Sequence, residues 1–221
     1  MKAMIFAAGE GRRMRPLTLT TPKPLLQVQG AALIEHHLRH LSCAGFTEVV
    51  INVAYLGEQI LEYLGDGANY GLNIQYSVEA EPLETGGGIR KALPLLGDGP
   101  FVLISADIWC DFPLAELRRV KVAAAGAHLI LVPNPAHKTQ GDFELNQQGQ
   151  VTAYGAGLTY SGISVIHPQM IAAYPNARDF FPMVEALKWA MTRGHLSAQV
   201  YSGVWVDVGT PERLAELNTT A

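Results

Sequence analysis

The chain of 221 residues contains 48% hydrophobic and 16% charged residues, and its formal net charge at pH 7 is −4. These values predict one globular domain over residues 1–221, since neither disorder nor a fibrous repeat is indicated. Without a basic excess, no nucleic acid partner is expected, although a few placed cations suffice for a small anionic ligand. The apolar start is broken at Gly9, too early for a signal-peptide core or a membrane span. We therefore expect a cytoplasmic monomer or small homo-oligomer with no membrane partner.

Strands and helices are predicted to alternate through the first half of the chain. An apolar strand at 2–8 leads into a loop that extends to about Pro24, followed by a helix over 33–44 that ends at Gly45. The elements predicted next are strand 48–53, helix 58–64, strand 74–77, helix 86–95, strand 101–104 and helix 113–124. This alternation favours an α/β fold with a mostly parallel, mixed central sheet.

The second half of the chain has shorter predicted strands that carry glycines and polar residues. The predicted elements are strands at 127–132, 143–145, 150–154 and 159–166, then helix 182–193, strand 204–208 and helix 212–218. These strands predict a smaller mixed β region that covers one side of the ligand cavity.

The cysteines and the clustered histidines are predicted to have structural roles. Cys43 and Cys110 are too few and too far apart for a disulfide framework or a thiolate metal site, so both are expected to be buried thiols. His36, His37 and His40 share one predicted helix, where surface positions explain them better than a metal site does.

An acidic residue follows the most apolar predicted strand. Residues 101–104 are apolar on both faces, as in a central strand of a covered parallel sheet, and they run directly into Ser105, Ala106 and Asp107. Ligands of open α/β sheets bind at the carboxyl ends of the strands, so Asp107 is expected to lie where chemistry takes place.

The loop after the first strand has the composition of an anion site. Gly9 and Gly11 let backbone N–H groups approach an anion, and Arg12, Arg13 and Arg15 supply guanidinium groups that bind phosphate oxygens in pairs. A dinucleotide fingerprint is excluded because its third glycine would fall on a methionine, and no Gly-Lys-Ser/Thr follows for a Walker A loop. Further along, Lys23 stands between Pro22 and Pro24, which restrict the backbone and orient the lysine charge.

Residues 7–18 (AAGEGRRMRPLT) and 22–25 (PKPL) closely resemble the signature of bacterial sugar-1-phosphate nucleotidyltransferases. The resemblance extends over the whole chain and is closest to short members without a C-terminal β-helix. It implies a three-layer Rossmann-like nucleotidyltransferase fold and a reaction of a nucleoside triphosphate with a sugar 1-phosphate that releases pyrophosphate. The residues implied to wrap the triphosphate are Ala7, Ala8, Gly9, Gly11, Arg12 and Arg13. Arg15 is implied to assist pyrophosphate departure, and Lys23 to bridge the α-phosphate and the sugar phosphate.

The same resemblance implies a metal site of two aspartates. Asp107 in ISADIWCD and Asp207 in WVDVGTPE stand at family positions, and together they are implied to hold Mg²⁺. Mg²⁺ binds through a few carboxylates, waters and substrate phosphate oxygens, so an aspartate pair completed by the substrates is chemically sufficient.

Two further segments resemble substrate-binding parts of the family. Residues 83–89 (LETGGGI) resemble the base-recognition loop, which assigns Thr85 and Gly86 to nucleotide binding, although Glu84 stands where the family often has glycine. Glu79 could accept the N3–H of uracil or thymine, or the N1–H of guanine. UTP is the expected donor, and guanosine and thymidine triphosphates remain alternatives. The residues assigned to the sugar are Ser105, Gly141, Tyr160 and Gly162.

Two other classes of function remain open from the sequence. A metal-dependent glycosyltransferase would share the sheet and the acidic pair but has no use for Arg15 and Lys23 around a leaving pyrophosphate. A catalytically silent nucleotide-sensing module is also compatible with the fold, because a fold does not fix a function.

Overall fold

The centre of the computed structural model, which describes residues 1–219, is a seven-stranded sheet in the order β12-β8-β11-β6-β1-β4-β5. The strands are β1 (Ala3–Phe6), β2 (Gln27–Val28), β3 (Ala31–Ala32), β4 (Glu48–Val53), β5 (Asn73–Val78), β6 (Phe101–Ser105), β7 (Ile108–Cys110), β8 (Ala127–Val132), β9 (Phe143–Leu145), β10 (Val151–Tyr154), β11 (Thr159–Ile166), β12 (Leu196–Val200) and β13 (Trp205–Asp207). In the central sheet β11 is antiparallel to β6 and β8, and the other pairings are parallel. The predicted mostly parallel, mixed sheet is confirmed.

Helices cover both faces of this sheet. They are α1 (Leu33–Cys43), α2 (Gly57–Leu64), α3 (Glu84–Leu96), α4 (Gln169–Ala172), α5 (Met183–Thr192) and α6 (Pro211–Thr219). Neighbouring side chains of β1 point to opposite faces, so Ile5 packs in the core with Leu38 of α1, and Met4 packs in the core with Ile89 of α3. Full burial of such a side chain contributes about 1.5–3 kcal/mol. The core therefore has two halves, one on each face, and the three-layer fold is confirmed.

Three small antiparallel sheets accompany the central one: β9 with β10, β7 with β13, and β2 with β3. Strands β9 and β10 form the first and belong to the predicted smaller β region, but the other two strands predicted for it, 127–132 and 159–166, lie in the central sheet as β8 and β11. Strands β7 and β13 form the second, with Asp207 opposite Ile108, although they are about a hundred residues apart in the chain. This second pairing was not predicted, and it brings the two family aspartates next to each other.

The prediction of a helix over 113–124 is wrong. The chain instead forms a 3-10 helix, Leu114–Arg119, and then an extended backbone at Val120. Leu114 and Leu117 are the buried residues of this helix, and their three-residue spacing matches one face of a 3-10 turn. Val120 and Val122 pack against the core beyond it, and β-branched residues favour such extended backbone.

Two expectations about burial are also wrong. Cys43 is exposed at the end of α1, whereas Cys110 is buried as expected. His37 is buried against the sheet, and this burial lowers its pKa to about 4. His37 therefore packs inside as a neutral side chain, while His40 lies on the surface as predicted.

No helix within residues 1–219 is long and apolar enough to cross a membrane.

Candidate active site

A cavity of about 490 Å³ opens at the carboxyl ends of β1, β4, β5 and β6. The predicted residues that line it are Ala7, Ala8, Gly9, Gly11, Arg12, Arg13, Lys23, Glu79, Thr85, Ser105 and Asp107. Parallel strands end at one edge of a sheet, which is why segments distant in sequence meet here. Most of the predicted nucleotide-binding residues thus surround one cavity, in an arrangement that suits a nucleotide and its phosphates.

The glycine–arginine loop, residues 9–15, is held in place where it leaves β1 by Asn52 of β4. The amide of Ala7 donates to the side-chain oxygen of Asn52 at 3.1 Å. Gly11 has φ +61°, and a Cβ there would lie 2.9 Å from Thr18 Cγ2, so this turn requires glycine. The Thr18 hydroxyl donates to the Gly11 carbonyl at 2.8 Å. These contacts fix the path of the backbone around the anion site.

Glu10 pairs with two of the loop arginines. Arg12 makes two hydrogen bonds to its carboxylate, at 2.7 and 2.9 Å, and the bond from Arg12 lowers the pKa of Glu10. Arg15 Nη2 lies 3.6 Å from the same carboxylate, and Arg15 is not among the described residues that line the cavity. Arg13 lines the cavity without such a pair among residues 1–219.

Lys23 and Asp107 form an ion pair at the floor of the cavity. Lys23 begins a short 3-10 turn, Lys23–Leu25, which follows Pro22 and contains Pro24. The lysine is buried, and its Nζ donates to Asp107 Oδ2 at 2.7 Å. The Asp107 side chain keeps 42% of its surface exposed, so one carboxylate oxygen stays available to a ligand. A lysine and a carboxylate therefore face the same small volume.

Asp207 lies beside Asp107 because β13 pairs with β7. The amide of Val208 donates to the Asp107 carbonyl at 2.8 Å, which joins the two segments directly. Oδ1 of Asp207 is buried and accepts no well-directed hydrogen bond within residues 1–219. Two nitrogens nevertheless lie close to this oxygen: His137 Nε2 at 3.1 Å, and Arg213 Nη1. Sequence reasoning missed both residues, because neither belongs to the motif around Asp207.

Glu79 is hydrogen-bonded to the protein at the end of the cavity that residues 82–85 line. Its Oε1 accepts from Asn52 Nδ2 at 2.7 Å and its Oε2 accepts from the Leu83 amide at 3.0 Å. The residue is only 3% exposed. Glu79 is thus a buried residue that links β4 to the segment 83–89.

Gly86 and Gly87, which follow Thr85, pack against the segment before α5. Gly86 is absent from the described cavity lining, and its amide donates to the Phe181 carbonyl at 2.8 Å. A Cβ at Gly86 would lie 2.5 Å from the Phe181 ring. This glycine therefore contacts the segment before α5, and its contact with a base stays a prediction. That segment presents Phe180, an exposed aromatic side chain that lines the cavity.

Glu84 occupies a backbone position that favours glycine. Its φ is +63°, which explains physically why the family often has glycine there. The side chain is exposed and lines the cavity beside Thr85. A carboxylate here adds negative charge to the same end of the cavity as Glu79.

Replacing Gly87 by alanine is expected to destabilise the fold. A Cβ at Gly87 would lie 2.1 Å from the Asp179 carbonyl oxygen, so the segment before α5 must move. Overpacking of this kind costs roughly 1–3 kcal/mol, and the better helix propensity of alanine offsets up to about 1 kcal/mol. Thermal unfolding should show a lower Tm. Gly99→Ala is the matched control, since nothing lies within 4 Å of its Cβ position. An unchanged Tm for Gly87→Ala would contradict this close approach.

The residues predicted for the sugar do not form one group. Ser105 lines the cavity. Gly162, with φ +85°, lies against the Ser105 side chain at the bulge of β11. Gly141 instead packs on the Gly157 backbone, because a Cβ at Gly141 would lie 2.1 Å from the Gly157 carbonyl oxygen. The Tyr160 hydroxyl lies 2.9 Å from Ser164 Oγ, and burial raises its pKa. Gly141 and Tyr160 therefore contact neighbouring protein outside the described lining, and their assignment to the sugar stays a prediction.

The sequence model described as nucleotidyl transferase matches residues 2–154. The chain therefore belongs to this family and, within it, to the sugar-1-phosphate nucleotidyltransferases. It is 46% identical to N-acetylmuramate alpha-1-phosphate uridylyltransferase of Neisseria meningitidis serogroup B, over 100% of this chain and 98% of that one. It is 32% identical to mannose-1-phosphate guanyltransferase of Neurospora crassa, over 96% of this chain and 62% of that longer one.

Solved structures of low identity share the fold. A protein of Bacillus anthracis, described as a candidate glucose-1-phosphate thymidylyltransferase in complex with sucrose, superposes with a TM-score of 0.85 at 21% identity, over 100% of this chain and 95% of that one. HddC of Yersinia pseudotuberculosis complexed with GMP-PN superposes with a TM-score of 0.81 at 20% identity, over 99% and 98%. The predicted class of fold and of enzyme is confirmed.

Proposed function

We propose that this protein transfers UMP from UTP to N-acetylmuramic acid 1-phosphate and releases pyrophosphate, a step of cell-wall sugar recycling. The observation that carries this proposal is the Lys23–Asp107 pair, 2.7 Å apart, in the lining of a cavity bordered by the glycine–arginine loop. Asp207 lies beside this pair on β13, outside the described lining. The choice of uridine and of this sugar rests on the 46% identity over the whole chain to the Neisseria relative of that name.

The reaction needs positioning and charge neutralisation more than acid–base chemistry. The attacking group is a phosphate oxygen that is already ionised, so no side chain has to remove a proton. Lys23 bridges the α-phosphate and the acceptor phosphate and reduces their mutual repulsion. Backbone amides of the loop and Arg13 bind the β- and γ-phosphates. Arg12 and Arg15 release the Glu10 carboxylate and bind these phosphates in its place.

The two aspartates fit a magnesium site. Asp107 has a carboxylate oxygen that Lys23 does not bind, and in Asp207 it is Oδ1 that Arg213 and His137 approach, which leaves Oδ2 for a cation. Within residues 1–219 no group of three or more His, Cys, Asp or Glu side chains is assembled, so phosphate oxygens and water must complete the shell, as Mg²⁺ prefers. When bound, Mg²⁺ neutralises phosphate charge and polarises the α-phosphate.

A substrate panel tests the proposal. The protein is incubated with Mg²⁺, each of the four nucleoside triphosphates and dTTP, and the 1-phosphates of N-acetylmuramic acid, N-acetylglucosamine, mannose and glucose, and pyrophosphate is measured. The highest kcat/KM is expected with UTP and N-acetylmuramic acid 1-phosphate. A preference for GTP with mannose 1-phosphate would favour the second candidate, to which the 32% identity with the Neurospora relative points. Glucose 1-phosphate with dTTP is the third candidate. Absence of release from every pair would favour a silent nucleotide-sensing module.

A further inference from the structure

Arg213, on α6, holds the segment that carries Asp207. Its Nη1 donates to the Asp207 carbonyl at 3.0 Å and also contacts Oδ1 of the same residue. The Arg213 side chain is only 16% exposed, so water screens this contact much less than it screens a surface ion pair. One guanidinium group thus fixes both the backbone and the carboxylate of Asp207.

The neighbourhood of Arg213 leaves it little freedom. A Cβ at Gly209 would lie 2.8 Å from Arg213 Nη2 and 3.1 Å from Asp207 Oδ2, so both side chains pack against this glycine. Leu214, next to Arg213, packs with Met14 of the glycine–arginine loop and with Val28. The position of the guanidinium group is therefore set by α6, which is itself anchored to the loop.

His137 approaches the same point from the opposite side. Its Nε2 lies 3.0 Å from Arg213 Nη1 and 3.1 Å from Asp207 Oδ1. His137 belongs to the segment 133–142 between β8 and β9. Asn134 of this segment accepts from the Thr159 hydroxyl at 2.7 Å, and Asp142 accepts from the Tyr160 amide at 2.9 Å, so both ends are tied to β11. His137 therefore connects Asp207 to the β region beside the cavity.

The Asp207 carboxylate is held by these contacts without being saturated. Oδ1 is buried and is the oxygen that Arg213 and His137 approach, so Oδ2 is the oxygen left for a cation. A carboxylate that is oriented by positive charge and close packing keeps lone pairs for a cation. Partners of this kind orient metal ligands, and their loss typically lowers metal affinity or activity 10- to 100-fold.

We propose that Arg213 is a positioning residue that orients the Asp207 carboxylate for a divalent cation, with His137 as its second support. This inference rests on the proposed role of Asp207. Nη1 makes all three contacts, to the Asp207 carbonyl, its carboxylate and His137, while Nη2 packs against Gly209. The planar guanidinium group therefore matters in addition to the charge, because an ammonium group would leave the space beside Gly209 empty.

Binding of Mn²⁺ measures this role without turnover. Free Mn²⁺ is followed by electron paramagnetic resonance while the protein is titrated in the presence of a non-hydrolysable UTP analogue. Arg213→Ala is expected to weaken Mn²⁺ binding at least about tenfold, and Arg213→Lys to recover only part of it. His137→Asn should weaken binding by a smaller factor, because Arg213 still holds the carboxylate. The pyrophosphate assay should show that kcat falls in the same order.

The controls separate positioning from stability and from the proposed function. Arg39→Ala removes an arginine that pairs with Glu35 at 3.3 Å outside the cavity, and it should leave Mn²⁺ binding unchanged. Thermal unfolding identifies a variant that has lost its fold, and Arg213→Lys then carries the test. Wild-type Mn²⁺ affinity in Arg213→Ala or in Asp207→Asn would overturn the inference. A wild-type protein that releases no pyrophosphate with any substrate pair would instead refute the proposed function, and the Mn²⁺ comparison would still be readable.

Discussion

Asp107→Asn is expected to lower kcat by about a thousandfold, the upper end of what loss of one electrostatic contact to the reacting phosphate costs. The amide keeps the size of the side chain and an oxygen for Lys23, but it removes the negative charge that a divalent cation needs. KM for the nucleoside triphosphate should change much less, because the loop amides and arginines still bind the phosphates.

The fold of this variant should be retained. The Lys23–Asp107 pair is partly exposed on the Asp107 side, so its loss should cost about 1 kcal/mol or less of unfolding free energy. Circular dichroism and thermal unfolding check this, and Asp98→Asn, which changes an exposed aspartate far from the cavity lining, is the control. Turnover at the wild-type rate in purified Asp107→Asn would refute the assignment of Asp107 to the metal.

Lys23→Gln is the change with the second largest expected effect, a loss of about a hundredfold or more in kcat. Lys23 is buried and carries a point charge towards the position at which the two phosphates meet. Because repulsion between these phosphates is greatest in the transition state, the charge should act on kcat more than on either KM. Steady-state kinetics with both substrates varied measure this division.

Two further variants make the test specific. Lys23→Arg should not restore activity, because the guanidinium group is wider than the ammonium group and does not place a point charge at the buried position 2.7 Å from Asp107 Oδ2. Lys121→Gln, a change at an exposed lysine outside the cavity lining, should be neutral. An equal fall in kcat for both glutamine variants would show a non-specific effect of charge.

Much of the secondary structure could be predicted because it depends on local patterns. Strands 127–132, 143–145 and 159–166 lie where the sequence indicates, since their apolar and β-branched residues favour extended backbone in any context. The segment 113–124 could not be predicted in this way. Its leucines suit a helix, and only its packing against the core decides between a 3-10 turn and a longer α-helix.

The candidate site could be predicted to different depths in its different parts. The glycine–arginine loop, Lys23 and Asp107 were found because each carries its signal within a few residues, and they do border one cavity. Gly86, Gly141 and Tyr160 were assigned to ligands by resemblance, but neighbouring protein segments use them. A sequence motif does not reveal which side of a glycine faces protein and which faces solvent.

The sequence by itself determined the class of protein, because the phosphate-binding loop, the lysine between two prolines and the aspartate after a buried strand are local features. Only the tertiary structure placed Asp207 beside Asp107, since β7 and β13 pair across about a hundred residues. It also brought His137 to Asp207 from the segment between β8 and β9, and α6 turns Arg213, six residues after Asp207, back onto that aspartate. Such contacts depend on how strands and helices pack in three dimensions, and no pattern of neighbouring residues encodes them.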